Sequence, residues 1–251
     1  MTKQKDVANE QARNEGQSHN EVPNELCVVT KPQRGFEGGV NQEDLIIPRA
    51  KLIQALSPEL KDGIEGIRIG SIVNSLTKEK LPDEFIPIFT FKTFIRFNPR
   101  KKEDPNFLSG FDPGSVVWKS ANPDDPRVIE ETRFGINGEK PPATTFLNFF
   151  SYFPGCAMPI ILSFSKTSYK TGKQLLSLAK FCGGDMFSRK YRLTSVMETK
   201  NMDSYAVLKV IPVGQVSQDE YRTCEFLWNE FSAKVQDIQV HDDDDTEDRP
   251  Y

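Results

Sequence analysis

The run Glu84-Phe85-Ile86-Pro87-Ile88-Phe89-Thr90-Phe91-Lys92-Thr93-Phe94-Ile95-Arg96-Phe97-Asn98 constrains the fold more than any other part of the chain. Aromatic and β-branched side chains pack well on a pleated surface, so this composition favours a long strand over a helix. Read at period two, Phe85, Phe89, Phe91, Ile95 and Phe97 form a core face. Thr90, Lys92, Phe94, Arg96 and Asn98 form the other, followed at once by Arg100, Lys101 and Lys102.

More strands are predicted at 115–118, 144–153, 158–165, 190–197 and 205–211, with strand-like text between 63 and 76. A helix is predicted over 168–181. A second opens at Ser217-Gln218-Asp219-Glu220, where Glu220 can reach back to the cap amide, and runs to 238. Its apolar stripe is Tyr221, Cys224, Trp228, Phe231, Val235 and Ile238. Residues 99–143 hold seven of the 17 prolines and leave room only for short strands. Long irregular excursions inside a domain tend to be functional loops. The pattern is β-rich α+β.

The 251 residues, 37% hydrophobic and 27% charged, suffice for one domain or two small ones. No apolar run nears the ~20 residues that span a bilayer, so no membrane association is expected. The first sixteen residues carry no apolar h-region, so no secretory signal is expected. Cys27, Cys156, Cys182 and Cys224 lie far apart with no C-x-x-C pair, which points to reduced thiols in a cytoplasmic setting. His19 and His241 lie in the flanks, so a body without histidine is expected. That argues against Ser-His-Asp or Cys-His catalysis and against His-ligated metals. No enzyme activity and no cofactor are expected.

Charge is distributed unevenly. Residues 1–43 carry net −2, residues 44–240 net +3 and residues 241–251 net −5. Residues 1–43 are too polar to offset chain entropy and read as a flexible arm. Residues 44–240 read as the folded body.

Within the body, Lys92, Phe94 and Arg96, with Arg100, Lys101 and Lys102, suit an unpaired base stacked on a ring between phosphate-neutralising cations. The plainer reading buries Phe94 under the 99–143 excursion. Phe150 and Tyr152 share a strand face with Phe146 and Asn148; they either stack a flat ligand or lie buried. Lys166, Lys170 and Lys173 surround a helix start whose free amides suit a phosphate, or simply decorate an ordinary cap. A Walker loop would need Gly at 167 and Ser or Thr at 174, where the chain has Thr167 and Gln174. Lys190, Tyr191 and Arg192 repeat the basic-aromatic theme.

The end of the chain is acidic: Asp242, Asp243, Asp244, Asp245, Glu247 and Asp248, closing on Tyr251. Beside a basic body such a segment can compete for a cationic groove and, once displaced, engage partner proteins.

The combination resembles the tailed-phage single-stranded DNA-binding proteins of the OB-fold kind, which end in an acidic, aromatic-terminated tail. Arg34-Gly35-Phe36-Glu37, Glu43-Asp44-Leu45-Ile46-Ile47-Pro48-Arg49 and Leu52-Ile53-Gln54-Ala55-Leu56-Ser57-Pro58 are similar to the start of a phage-encoded family. The resemblance implies an OB-like β-barrel, elaborated by the excursion and a C-terminal helix. It implies sequence-tolerant binding of single-stranded DNA in phage replication or recombination, in the host cytoplasm, with replication or recombination proteins met through the tail. Self-association is left open. Two alternatives remain: a phage structural or assembly protein, and a carboxylate- or metal-dependent nuclease using Asp124-Asp125 and Glu130-Glu131.

Overall fold

The computed structural model describes residues 45–200, 203–233 and 239–240. The strands are β1 (Ile46–Ile47), β2 (Ala50–Leu52), β3 (Ile72–Asn74), β4 (Glu84–Phe97), β5 (Val116–Ser120), β6 (Ala143–Tyr152), β7 (Ile160–Phe164), β8 (Arg189–Lys200), β9 (Asp203–Gln215) and β10 (Gln239–Val240). The helices are α1 (Pro58–Lys61), α2 (Pro126–Glu131), α3 (Tyr169–Phe181) and α4 (Gln218–Phe231). The chain is a β-rich α+β protein. The arm at 1–43, the acidic segment at 241–251 and both histidines lie outside the described residues.

Six strands make one antiparallel sheet in the order β7-β6-β4-β8-β9, with β5 also on β4. The phenylalanine-rich segment is its longest strand and its centre. Its period slips at a bulge between Pro87 and Phe89. Phe85 therefore faces one core with Phe149, Phe153 and Tyr191, while Phe89 faces the other with Phe150. A single core face from Phe85 to Phe97 is thus corrected: a bulge adds one residue and turns the following side chains over. β6 alternates as its sequence predicts, with Leu147, Phe149 and Phe153 in one core and Phe150 and Tyr152 in the other. Phe89 stacks on Phe150 at 4.7 Å between ring centroids, worth about 0.5–1.5 kcal/mol beyond the area buried.

The two cores lie on opposite faces of the sheet. Leu175 of α3 joins the Phe149 core, and Cys224 and Leu227 of α4 join the Phe150 core. α4 opens on the predicted capping box: Ser217 Oγ accepts from the Glu220 amide, and Glu220 Oε2 accepts from the Ser217 amide at 2.8 Å. Trp228, placed in the buried stripe by spacing, is 44% exposed, and Leu227 takes its place inside. Val235 and Ile238 lie outside the described residues.

α3 is clamped between the two outer strands. Thr171 Oγ1 donates to the Leu208 carbonyl on β9 at 3.0 Å. On the other side Gly172 sits so close to β7 that an added Cβ would come within 2.7 Å of Phe164 Cβ. Glycine inside a helix costs about 1 kcal/mol against alanine; here it permits the close approach. One helix touching both outer strands means that the sheet curls around α3.

The strands do not close into a barrel. The segment 48–54 instead spans from one free edge to the other. The Ile161 amide of β7 donates to the Pro48 carbonyl at 2.9 Å, and the Gln54 side chain bonds both backbone groups of Ala206 on β9. Between 63 and 76, only Ile72–Asn74 is a strand; Gly63, Gly66 and Gly70 hold positive φ and make turns instead.

The excursion is ordered. Asn98, expected on a solvent face, is buried and knots its first half: Nδ2 donates to the Leu108 and Phe111 carbonyls, and Oδ1 accepts from the Leu108 amide at 2.8 Å. The second half forms α2, started by Asp125, whose carboxylate caps the Arg127 amide.

Candidate nucleic-acid interface

The predicted rings are the first group to be placed. Phe94 is buried with Trp118, Val128 and Ala143 beneath α2 and β5. The excursion thus covers it, and the expected base-stacking face at Phe94 is corrected. Neighbouring Arg96 is spoken for: its guanidinium donates to Glu131 Oε1 at 2.6 Å, while Glu131 Oε2 accepts from the Trp118 indole at 2.9 Å. Phe150 and Tyr191 are fully buried and Tyr152 nearly so. None of these rings offers a face to a base.

Lys190 and Arg192 lie beside a shallow depression of about 470 Å³, lined also by Pro82, Asp83, Glu84 and Pro154. Their charge is matched there. Arg192 pairs with Glu84 at 2.9 Å, and Lys190 pairs with Glu220 at 2.6 Å and Glu84 at 3.8 Å. Burial alone would raise the Glu220 carboxyl, but bonds from Lys190 and Ser217 outweigh it and hold that group below its ordinary value. These two cations join β4, β8 and α4 electrostatically, and a polyanion would have to displace carboxylates to reach them.

The remaining predicted cations are on the surface. Lys92, Lys101, Lys102, Lys166, Lys170 and Lys173 are exposed, and Arg100 is half-buried. Lys92 stands in register beside Leu147 of β6, which stands beside Phe164 of β7. Residues directly opposite in a ladder share a face. Lys92 therefore lies on the α3 side of the sheet, next along β4 from the Phe94 cluster. Lys166 follows two residues after Phe164, in a short 3-10 turn that leads into α3.

Helical geometry gathers the rest. Buried Thr171, Gly172, Leu175 and Ala179 define the inner face of α3. At 100° per residue, Lys170, Lys173 and Lys180 fall on the opposite face, with Lys166 leading into the row and Phe181 beside it. Phe181 is 88% exposed. Lys173 Nζ lies 5.7 Å from the Tyr169 ring centroid, a cation–π contact.

Sequence reasoning left out Lys180 and Phe181, although two signals announced them. The spacing 166, 170, 173, 180 is helical. Residues 140–184 also contain five lysines and no acidic residue. One member of each of the Asp124-Asp125 and Glu130-Glu131 pairs has another occupation: Asp125 caps α2 and pairs with Arg127 at 2.8 Å, and Glu131 binds Arg96 and Trp118. Among the described residues no group of three or more His, Cys, Asp or Glu could hold a metal ion. Among them, too, no helix is long and apolar enough to cross a membrane.

A curled antiparallel sheet with a helix clamped in its hollow, carrying a one-sided row of lysines, defines a β-rich α+β protein with a basic helical face. Residues 14–236 match the Pam3 phage gp34-like protein family, and the chain belongs to that bacteriophage family. No curated protein and no solved structure matches it.

Proposed function

We propose that this phage protein binds single-stranded DNA without sequence preference, as a binding protein rather than an enzyme, in replication or recombination. The observation that carries the reading is the lysine row on the outer face of α3, within 45 residues free of acidic side chains. Cations aligned at one- and two-turn spacing suit a phosphate backbone, and contacts of that kind carry no sequence information. Lys92 on the same side of the sheet extends the cationic track. Because α3 and α4 pack on the two sheet faces, the DNA strand would run over the outer face of α3, which departs from the OB-like mode of a ligand lying across the sheet.

The acidic segment 241–251 belongs to the same reading as a tethered competitor for that track, and as a contact for replication or recombination proteins once displaced. The test is a gel shift with a labelled oligothymidylate and a duplex of equal length, with and without Mg²⁺. The reading requires retention of the single strand, preference for it over the duplex, and no cleavage with Mg²⁺. Equal or absent retention of both would overturn it, and cleavage would reinstate the nuclease.

A further inference from the structure

We propose that the turn Arg133-Phe134-Gly135-Ile136-Asn137-Gly138-Glu139-Lys140 is a base-stacking element, in which Phe134 stacks an unpaired base and Arg133 and Lys140 hold the flanking phosphates. The inference rests on the single-strand reading above and gives it the aromatic contact that buried Phe94 cannot supply.

Four observations carry it. Phe134 is 71% exposed and Ile136 fully exposed. A single exposed apolar residue is ordinary, but here two stand two positions apart on the same turn, with Gly135 between them. That turn is built to hold its shape. Glu139 Oε1 and Oε2 accept from the Asn137 side chain and amide at 2.9 and 3.1 Å, and the Gly135 amide donates to the Glu139 carbonyl at 3.0 Å. The Gly138 amide donates to the Gly135 carbonyl at 3.0 Å, with Gly138 at φ +83°. At Gly135 a Cβ would meet Glu139 Oε2 at 2.0 Å, so the glycine is what lets the carboxylate fold in. An apolar display held rigid by its own hydrogen bonds has little ordering entropy left to lose on binding.

The charge complements a nucleic-acid strand. Arg133 and Lys140 are both exposed, and neither is held in an ion pair among the described residues. That separates them from Arg96, which Glu131 holds beside Phe94. The topology also places the turn well. It leads into Ala143 at the start of β6, and β7 ends at Phe164 beside Leu147, four residues further along β6. The turn and Lys166 therefore lie toward the same end of the sheet, with Lys92 level with Leu147. Aromatic stacking beside a cationic track is what a sequence-tolerant single-strand site combines.

The experiment uses the full chain, a fluorescein-labelled oligothymidylate, and the variants Phe134→Ala, Phe134→Trp and Lys170→Gln/Lys173→Gln, each first checked for an unchanged melting temperature. Phe134→Ala should weaken binding about 5- to 150-fold, the equivalent of one stacked base at roughly 1–3 kcal/mol. Phe134→Trp should keep wild-type affinity and show tryptophan emission quenched by the oligonucleotide. If Phe134→Ala binds like wild type while the lysine variant loses affinity, the stacking assignment falls and the single-strand reading stands. Absence of binding by the wild-type chain removes both. If Phe134→Ala changes only the mass on a sizing column, the turn is a contact between copies of the chain, and the assignment again falls.

Discussion

Gln54 and Ala206 exchange two hydrogen bonds across 152 residues of chain. Gln54 Nε2 donates to the Ala206 carbonyl at 2.9 Å, and the Ala206 amide donates to Gln54 Oε1 at 2.9 Å. One side-chain amide thus satisfies a residue on the free edge of β9. An open edge exposes such groups as a template for pairing with other chains. Gln54→Ala should therefore destabilise the fold by about 1–3 kcal/mol, because two backbone groups lose their partner. Gln54→Glu should recover part of the loss, since it keeps the acceptor for the amide. Denaturant unfolding of the three proteins measures both effects.

Phe94→Ala separates the two roles this ring was offered by its sequence. The ring is 6% exposed, packed with Trp118, Val128 and Ala143. Truncation should cost about 3–5 kcal/mol of stability, as for other large core side chains. Affinity for an oligothymidylate should be unchanged in the protein that remains folded. A drop in affinity with no loss of stability would return the ring to the surface.

Acid should loosen the start of α2. The Asp125 carboxyl is held down at about 2 by the Arg127 side chain and amide, with Ser120 contributing. A depressed carboxyl stabilises the fold in full above its unfolded value near 4 and loses that contribution as pH falls toward 2. Arg127 lies over Trp118, 5.4 Å from its ring centroid, so tryptophan emission reports the event. The emission should change between about pH 4 and pH 2 in wild type. In Asp125→Asn that step should be missing.

The acidic segment makes a further prediction. β10 runs parallel to β1, with Val240 beside Ile47. The next stretch from β1 runs parallel to β7, Arg49 beside Ile161. Val240, the last described residue before the segment, thus stands beside a stretch that leads to β7, where Lys166 follows Ile161 by five residues, roughly 17 Å along an extended chain. Eleven residues reach at most about 36–40 Å. Deleting 241–251 should raise affinity for single-stranded DNA, most at low salt. The gain should shrink as the Debye length falls from ~30 Å at 0.01 M to ~10 Å at 0.1 M salt. Changing Tyr251 alone should leave DNA affinity as it is. Unchanged affinity after deletion at low salt would make the segment a solubilising end.

The sheet was legible because aromatic and β-branched residues alternate along β4, β6 and β8. The α4 cap was legible because Ser217 and Glu220 interact over four residues. What the sequence hid depends on partners far along the chain. The bulge at Pro87–Phe89 turns Phe85 to the opposite face from Phe89. The excursion buries Phe94 through contacts from Trp118 and Val128, and Asn98 turns inward to loop carbonyls ten or more residues away. The site was half legible. Lys166, Lys170 and Lys173 could be read from helical spacing. Which aromatic residues reach solvent could not, because Phe134 and Phe94 differ in what covers them rather than in their neighbours.

The salt dependence of oligothymidylate affinity, compared between wild type and Lys170→Gln/Lys173→Gln/Lys180→Gln, tests the lysine row most directly. Glutamine keeps the helix propensity and removes only the charge. Each phosphate neutralised on a single strand contributes about 0.7 to the slope of log K against log salt. The variant slope should therefore be shallower by about 2, with affinity lower at every salt concentration below the point where binding vanishes. Parallel lines of equal affinity would show that the outer face of α3 does not meet the DNA, and would contradict the account.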